Sequence, residues 1–265
     1  MITWAQALVL GVVQGLTEFL PVSSSGHLIL VPRLFGWHDQ GLAFDAAIHL
    51  GTIAALLAYF RHELLALASG ALARRVAVLV ILASVPAGVA GLALGAWIEA
   101  QLRSPLVVAA STAFWGLVML AADRRAPTSR PGAGDALERV TAAQAVLVGC
   151  AQALALVPGT SRSGITITAG LLGGLDRATA ARFSFLLAIP ITTAAGALKM
   201  LELLEAGVPA AGHGPLLAAV ATAFASGWAA IWFLVSYLKR RSLAPFVVYR
   251  LLLAAAILAL TLRGV

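Results

Sequence analysis

Of 265 residues, 61% are hydrophobic and 11% are charged, where a soluble domain carries about 25% charged residues. That balance excludes a water-soluble globular domain and marks an integral membrane protein. The net charge of +7 sits in short links, where basic residues orient helices; no aromatic and basic interleaving points to nucleic acid as a partner. The lone Cys150 excludes an intrachain disulfide and a cysteine-based metal cluster. Met1 to Gln6 carries no basic residue and no small-residue cleavage site, so a cleaved signal peptide is not expected.

In chain order, Trp4–Leu20 is apolar and stops at Pro21. A polar turn, Ser23–His27, follows, and then a short apolar piece from Leu28 to Phe35. That piece is too short to cross a bilayer, which takes about 20 helical residues. The two pieces therefore predict a re-entrant helix hairpin. Leu42–Phe60, Val76–Ile98 (with Pro86 inside) and Pro105–Ala122 each read as a crossing. The polar stretch 123–139, with four arginines and a Pro/Gly-rich centre, is the candidate linker.

From Val140 the pattern restarts. Gly11, Gln14, Leu16, Ser23, Ser25 and Gly26 recur as Gly149, Gln152, Leu154, Ser161, Ser163 and Gly164, all offset by 138. A second short piece ends at Leu171–Gly174, and Ala178–Met200, Leu216–Leu238 and Leu243–Leu262 read as further crossings. The expectation is a single membrane domain over 1–265: repeat 1 about 1–122, a cytoplasmic loop 123–139, repeat 2 about 140–265. Three crossings per half is an odd number, so the second half enters upside down. Arg61, Arg74 and Arg75, the 123–139 loop and Lys239–Arg241 then share the cytoplasmic side. Inverted repeats with broken helices place a binding site where the breaks meet.

Both breaks are polar. Gln14 and Glu18 lie one helical turn apart, on one face. Ser23, Ser24, Ser25 and Gly26 read as the N-cap of the next helix, a ready anion site. Ser161, Ser163 and Gly164 repeat that design around Arg162, whose guanidinium suits phosphate. Two helix N-termini and one arginine suit a diphosphate. Glu18 and His27 exceed what binding needs: with Ser24 as nucleophile they supply acid–base chemistry for phosphoryl transfer. Glu18 is also the candidate ligand should a divalent cation, Mg or Ca, take part; no organic cofactor is implied. Each group has a structural alternative: serine caps, an Arg162–Glu18 pair, Gln14 and Gln152 pinning hairpins, and interhelix bonds for Asp45, His49 and Arg250, with His49 able to reach the site. Lys199 reads as snorkelling. A secondary transporter or lipid-phosphate translocase is the functional alternative, since paired broken helices are transporter architecture.

Two motifs, Gly15-Leu-Thr-Glu-Phe-Leu-Pro-Val-Ser-Ser-Ser-Gly-His27 and Pro158-Gly-Thr-Ser-Arg-Ser-Gly164, supported by Phe183–Pro190 and Pro245–Arg250, closely resemble the bacterial undecaprenyl-diphosphatase (bacitracin-resistance) family over essentially the whole chain. The family's first motif has Glu or Gln four residues before a Glu; Gln14 and Glu18 give the Gln form. The resemblance implies about ten helices, six spanning and two re-entrant hairpins, in an all-α polytopic protein of the bacterial inner membrane. It implies removal of the terminal phosphate from a C55 polyprenyl diphosphate, with the site on the periplasmic side, a homodimer, and bacitracin resistance. Glu18, Ser24, His27 and Arg162 match its functional positions, with Gln14, Ser23, Ser25 and Ser161 alongside. Ser24 as nucleophile exchanging its proton with His27, or His27 as nucleophile, are both compatible with these residues.

Overall fold

The computed structural model describes residues 2–38, 40–66, 70–127, 136–206 and 213–262. Among these residues the fold is all-helical, with eleven α-helices and one short 3-10 turn, Ala136–Arg139. The first hairpin is α1 (Trp4–Phe19) and α2 (Ser24–Leu34). Then come α3 (Leu42–Tyr59), the short α4 (Arg61–Ala66), α5 (Ala71–Gln101) and α6 (Pro105–Arg125). The second hairpin is α7 (Ala142–Leu154) and α8 (Arg162–Leu172), followed by α9 (Arg177–Ala206), α10 (His213–Leu238) and α11 (Ala244–Leu262). Expectations placed on the side chains of Glu99, Lys199, Glu202 and Glu205, and on the centre of the 123–139 loop, lie outside the described residues.

Five helical stretches are long and apolar enough to cross a membrane: Arg74–Ile98, Pro105–Arg125, Arg177–Leu198, His213–Leu238 and Ala244–Leu262. The chain is a multi-pass membrane protein. α3, expected as a sixth crossing, falls with the shorter apolar helices through its Phe44–Tyr59 stretch. Its helix ends at Tyr59 and α4 adds one polar turn, an element that hydropathy alone did not separate.

Local sequence explains where the hairpins begin. Thr3 and Gln6 form a capping box at α1, with Gln6 N–H donating to Thr3 Oγ1 at 3.2 Å and Thr3 N–H to Gln6 Oε1 at 2.9 Å. Thr141 and Gln144 make the same box at α7 with the same two distances. Each box satisfies two donors that a helix start otherwise leaves orphaned. The packing partners are also exchanged between halves. α1 lies along α10, and α7 lies along α5. At both contacts glycine lets the backbones meet: a Cβ at Gly11 would strike the Ala219 carbonyl, and one at Gly149 the Ala83 carbonyl. In lipid, where hydrophobic burial does little to drive association, such close approach supplies the dispersion contact.

The core lies between the halves. Phe19 meets Phe185 edge-on with ring centroids 5.7 Å apart, and Phe60 packs on the same ring; all three are fully buried. At one end, ion pairs and carbonyl bonds tie links together. Arg177 Nε donates to Asp123 Oδ1 at 2.6 Å, Arg182 Nη2 to Glu63 Oε1 at 3.1 Å, and Arg75 Nη2 to the Val140 carbonyl at 2.9 Å. Of these residues, Arg75 and Asp123 belong to links that the charge pattern assigns to one side of the membrane, and α9 adds Arg177 and Arg182 to them.

Candidate active site

Pro21 follows the last turn of α1, where it ends the helix. The chain then reverses at Ser23, whose φ is 73°, and α2 starts at Ser24. The second hairpin bends at Ser161, φ 70°. Among the described residues these two serines, at the common offset, are the non-glycine residues with positive φ. A non-glycine residue in this region costs about 1–2 kcal/mol. The same strained bend therefore recurs where function was expected.

The bend turns Ser24 back onto α1. Its hydroxyl donates to Glu18 Oε2 at 3.0 Å, and Gln14 Nε2 donates to the same oxygen at 3.2 Å. Arg162, first residue of α8, reaches across from the other hairpin, and its Nη2 donates to Glu18 Oε1 at 2.9 Å. The Glu18 and Arg162 side chains are only 10% and 13% exposed. Arg162 Nε and Nη1 are buried without a partner among the described residues, as are Gln14 Oε1 and both amide atoms of Gln152. Leaving charged donors unsatisfied in a dry site is costly. The orphaned guanidinium donors are suited in charge and geometry to an anion.

The two serine turns differ in one respect. Ser161 caps α8, its Oγ accepting from Gly164 N–H at 3.2 Å. Ser23 holds the expected N-cap position of α2 but makes no such bond; its Oγ faces Ser25 Oγ at 3.3 Å, as Ser161 Oγ faces Ser163 Oγ at 3.4 Å. Opening N–H groups of α2 are thus left for an anion. Direct bonds cross between the turns. Ser163 Oγ donates to the Leu20 carbonyl at 3.1 Å, and Gly159 N–H reaches Ser25 Oγ at 3.5 Å.

Arg250, fully buried, bolts this arrangement together. Its Nε donates to the Thr112 carbonyl at 3.0 Å, Nη1 to Pro21 at 3.5 Å, and Nη2 to Gly159 at 3.1 Å and Thr160 at 3.0 Å. It joins both turns to α6 and α11, beyond the simple interhelix bond read from sequence. Gly164 is needed here for room, since a Cβ would sit 2.9 Å from Arg250 Nη1. Gly26 is different: a Cβ there would make only ordinary contacts, the nearest at 3.7 Å.

His27 sits differently from the sequence expectation. The Ser24 hydroxyl donates its hydrogen bond to Glu18, while His27 Nδ1 lies 2.7 Å from the Ser23 carbonyl and Nε2 2.6 Å from the Tyr249 hydroxyl. His49, flagged as able to reach the site, places Nε2 3.8 Å from Glu18 Oε2. Asp45 instead accepts from Gln40 Nε2 at 2.8 Å. Sequence reasoning gave Tyr249 no role; the polar pair Tyr249-Arg250 inside an apolar helix was the available signal. The donor set does not fit a cation held by the protein alone. Glu18 already accepts from three side chains, and the described residues hold no group of three His, Cys, Asp or Glu side chains suited to a metal.

A carboxylate-oriented serine beside an arginine with spare donors, at an open helix N-terminus, is equipped for phosphoryl transfer. Comparison with known proteins decides the kinship. The family model described as bacitracin resistance protein BacA matches residues 7–256. The chain belongs to that family. It is 50% identical to undecaprenyl-diphosphatase 2 of Stutzerimonas stutzeri (strain A1501), over 96% of this chain and 97% of the relative. It is 46% identical to undecaprenyl-diphosphatase of Hahella chejuensis, over 97% of each chain. The corresponding protein of Gemmatimonas aurantiaca is 48% identical over 98% of each. Family membership therefore covers both hairpins, both serine turns and Arg250.

Proposed function

We propose that this chain hydrolyses undecaprenyl diphosphate to undecaprenyl phosphate and phosphate, and that the Glu18–Ser24–Arg162 centre performs the reaction. The observation that carries it is Arg162, bonded to the carboxylate that accepts the Ser24 hydrogen bond while keeping two buried donors unpartnered. Full-length kinship with proteins named undecaprenyl-diphosphatase supplies the substrate.

Ser24 Oγ attacks the terminal phosphorus. The Oγ–P bond forms, the bond to the bridging oxygen breaks, and the serine proton passes to Glu18. His27, as imidazolium, protonates the departing lipid phosphate through Nε2. Water then attacks the phosphoserine and gives one proton to His27, while Glu18 returns its proton to Oγ. Arg162 and the open α2 N-terminus hold the phosphoryl oxygens throughout. A second reading, His27 as nucleophile, draws on Nδ1 facing a carbonyl, which leaves the Nε2 lone pair available in neutral imidazole.

The matched capping boxes, matched strained serines and exchanged packing partners support two inverted halves. With the positive-inside rule they support a bacterial inner-membrane protein whose site serves the periplasmic side. A homodimer, and recycling of the lipid carrier with tolerance to bacitracin, follow from the resemblance. The test is phosphate release from the lipid diphosphate by purified protein in detergent, where no gradient exists. Release establishes a hydrolase; its absence returns the translocase reading. Acid quench traps a phosphoserine and base quench a phosphohistidine, which separates the two nucleophiles.

A further inference from the structure

We infer that Tyr249 is the positioning residue for His27, holding Nε2 in both protonation states that the reaction needs. This rests on the reading above, in which His27 acts through Nε2. The Ser23 carbonyl can only accept, so His27 Nδ1, 2.7 Å away, carries a hydrogen whatever the charge of the ring. In neutral imidazole Nε2 is then a bare lone pair; in imidazolium it is a donor. The group facing it must therefore be able to both give and take a hydrogen bond.

The Tyr249 hydroxyl, 2.6 Å from Nε2, meets that requirement by rotating. It donates to the neutral ring and accepts from the charged one. The two rings lie nearly parallel, 6° apart in tilt with centroids 5.5 Å apart, which fixes the direction in which Nε2 points. His27 is buried, whereas Tyr249 is 45% exposed, so the phenol has room to turn aside while Nε2 faces the lipid phosphate and to return to it between the two steps. The titratable groups on the hairpin and on the elements packed about it include Glu18 on α1, Arg33 on α2, Asp45 and His49 on α3, Arg162 on α8 and Arg250 on α11. The side chain that faces Nε2 is the Tyr249 phenol.

The test uses the purified full chain in detergent, with Tyr249→Phe, the same position replaced by difluorotyrosine, and His27→Ala. The Phe change keeps the stacked ring and deletes the hydroxyl. Expected is a kcat loss of about tenfold or more, with KM within about twofold of wild type. Difluorotyrosine keeps the shape but makes the phenol more acidic, and is expected to displace kcat by about threefold or more. A Phe variant within about twofold of wild type beside an inactive His27→Ala overturns the inference. So does a loss with Phe that difluorotyrosine does not reproduce in any degree, because the acidity of the hydroxyl facing Nε2 would then have no bearing on turnover. Full activity in His27→Ala instead removes the role of His27 itself. Should the Phe variant fail to fold, the isosteric fluorinated variant decides.

Discussion

Glu18 holds the centre because three donors from two hairpins converge on one carboxylate. Replacing it with Gln keeps the shape but removes the charge that accepts the serine proton and balances Arg162. Glu18→Gln is expected to lower kcat by about a hundredfold or more, read as phosphate release in detergent. Arg162→Lys is not a conservative change, since a point charge cannot serve Glu18 and two further acceptors together. It is expected to cost about a hundred- to a thousandfold, against a melting temperature close to wild type. These two side chains were legible in the sequence because charge inside apolar surroundings is conspicuous. The partner of Ser24 was not legible. Ser24 and His27 are close in sequence, and only the left-handed bend at Ser23 decides which acceptor the hydroxyl meets.

At the level of elements, the strained bend at Ser23 makes opposite predictions for two small changes. Ser23→Gly removes the left-handed penalty and a hydroxyl that makes no cap bond, so thermal unfolding in detergent should show stability unchanged or raised, by up to about 1 kcal/mol. Ser23→Val places a branched side chain at φ 73° and should lose about 2 kcal/mol or more. At the α1–α10 and α7–α5 contacts, Gly11→Leu or Gly149→Leu should each destabilise by about 1–3 kcal/mol through forced separation of the helices. Hairpins and crossings could be read from apolar runs broken by Pro, Gly and Ser, and the offset of 138 named equivalent positions. The end of α3 was harder to read, because apolar sequence runs through Phe60 while the helix breaks before Arg61. The exchanged partnering of α1 and α7 needed coordinates, since no local pattern says which long helix a short one will lie against.

For the molecule as a whole, the decisive question is which face each link meets. A single cysteine at Ser104, in a Cys150→Ala background, should react with an impermeant thiol reagent added outside intact cells, and one at Ala126 only after the cells are opened. The reverse pattern would invert the orientation of the fold. Arg250→Met is expected to unfold the protein at markedly lower temperature, losing about 3–5 kcal/mol, because four carbonyls lose their shared donor. A machine that carries cargo by rocking one half against the other must let the two hairpin tips part in every cycle. Here one guanidinium is stapled to the backbone of both tips and to a neighbouring helix, so parting would break either its bond to Pro21 or its bonds to Gly159 and Thr160. A translocation cycle would have to sacrifice part of that staple at every turnover, whereas hydrolysis in place leaves it intact.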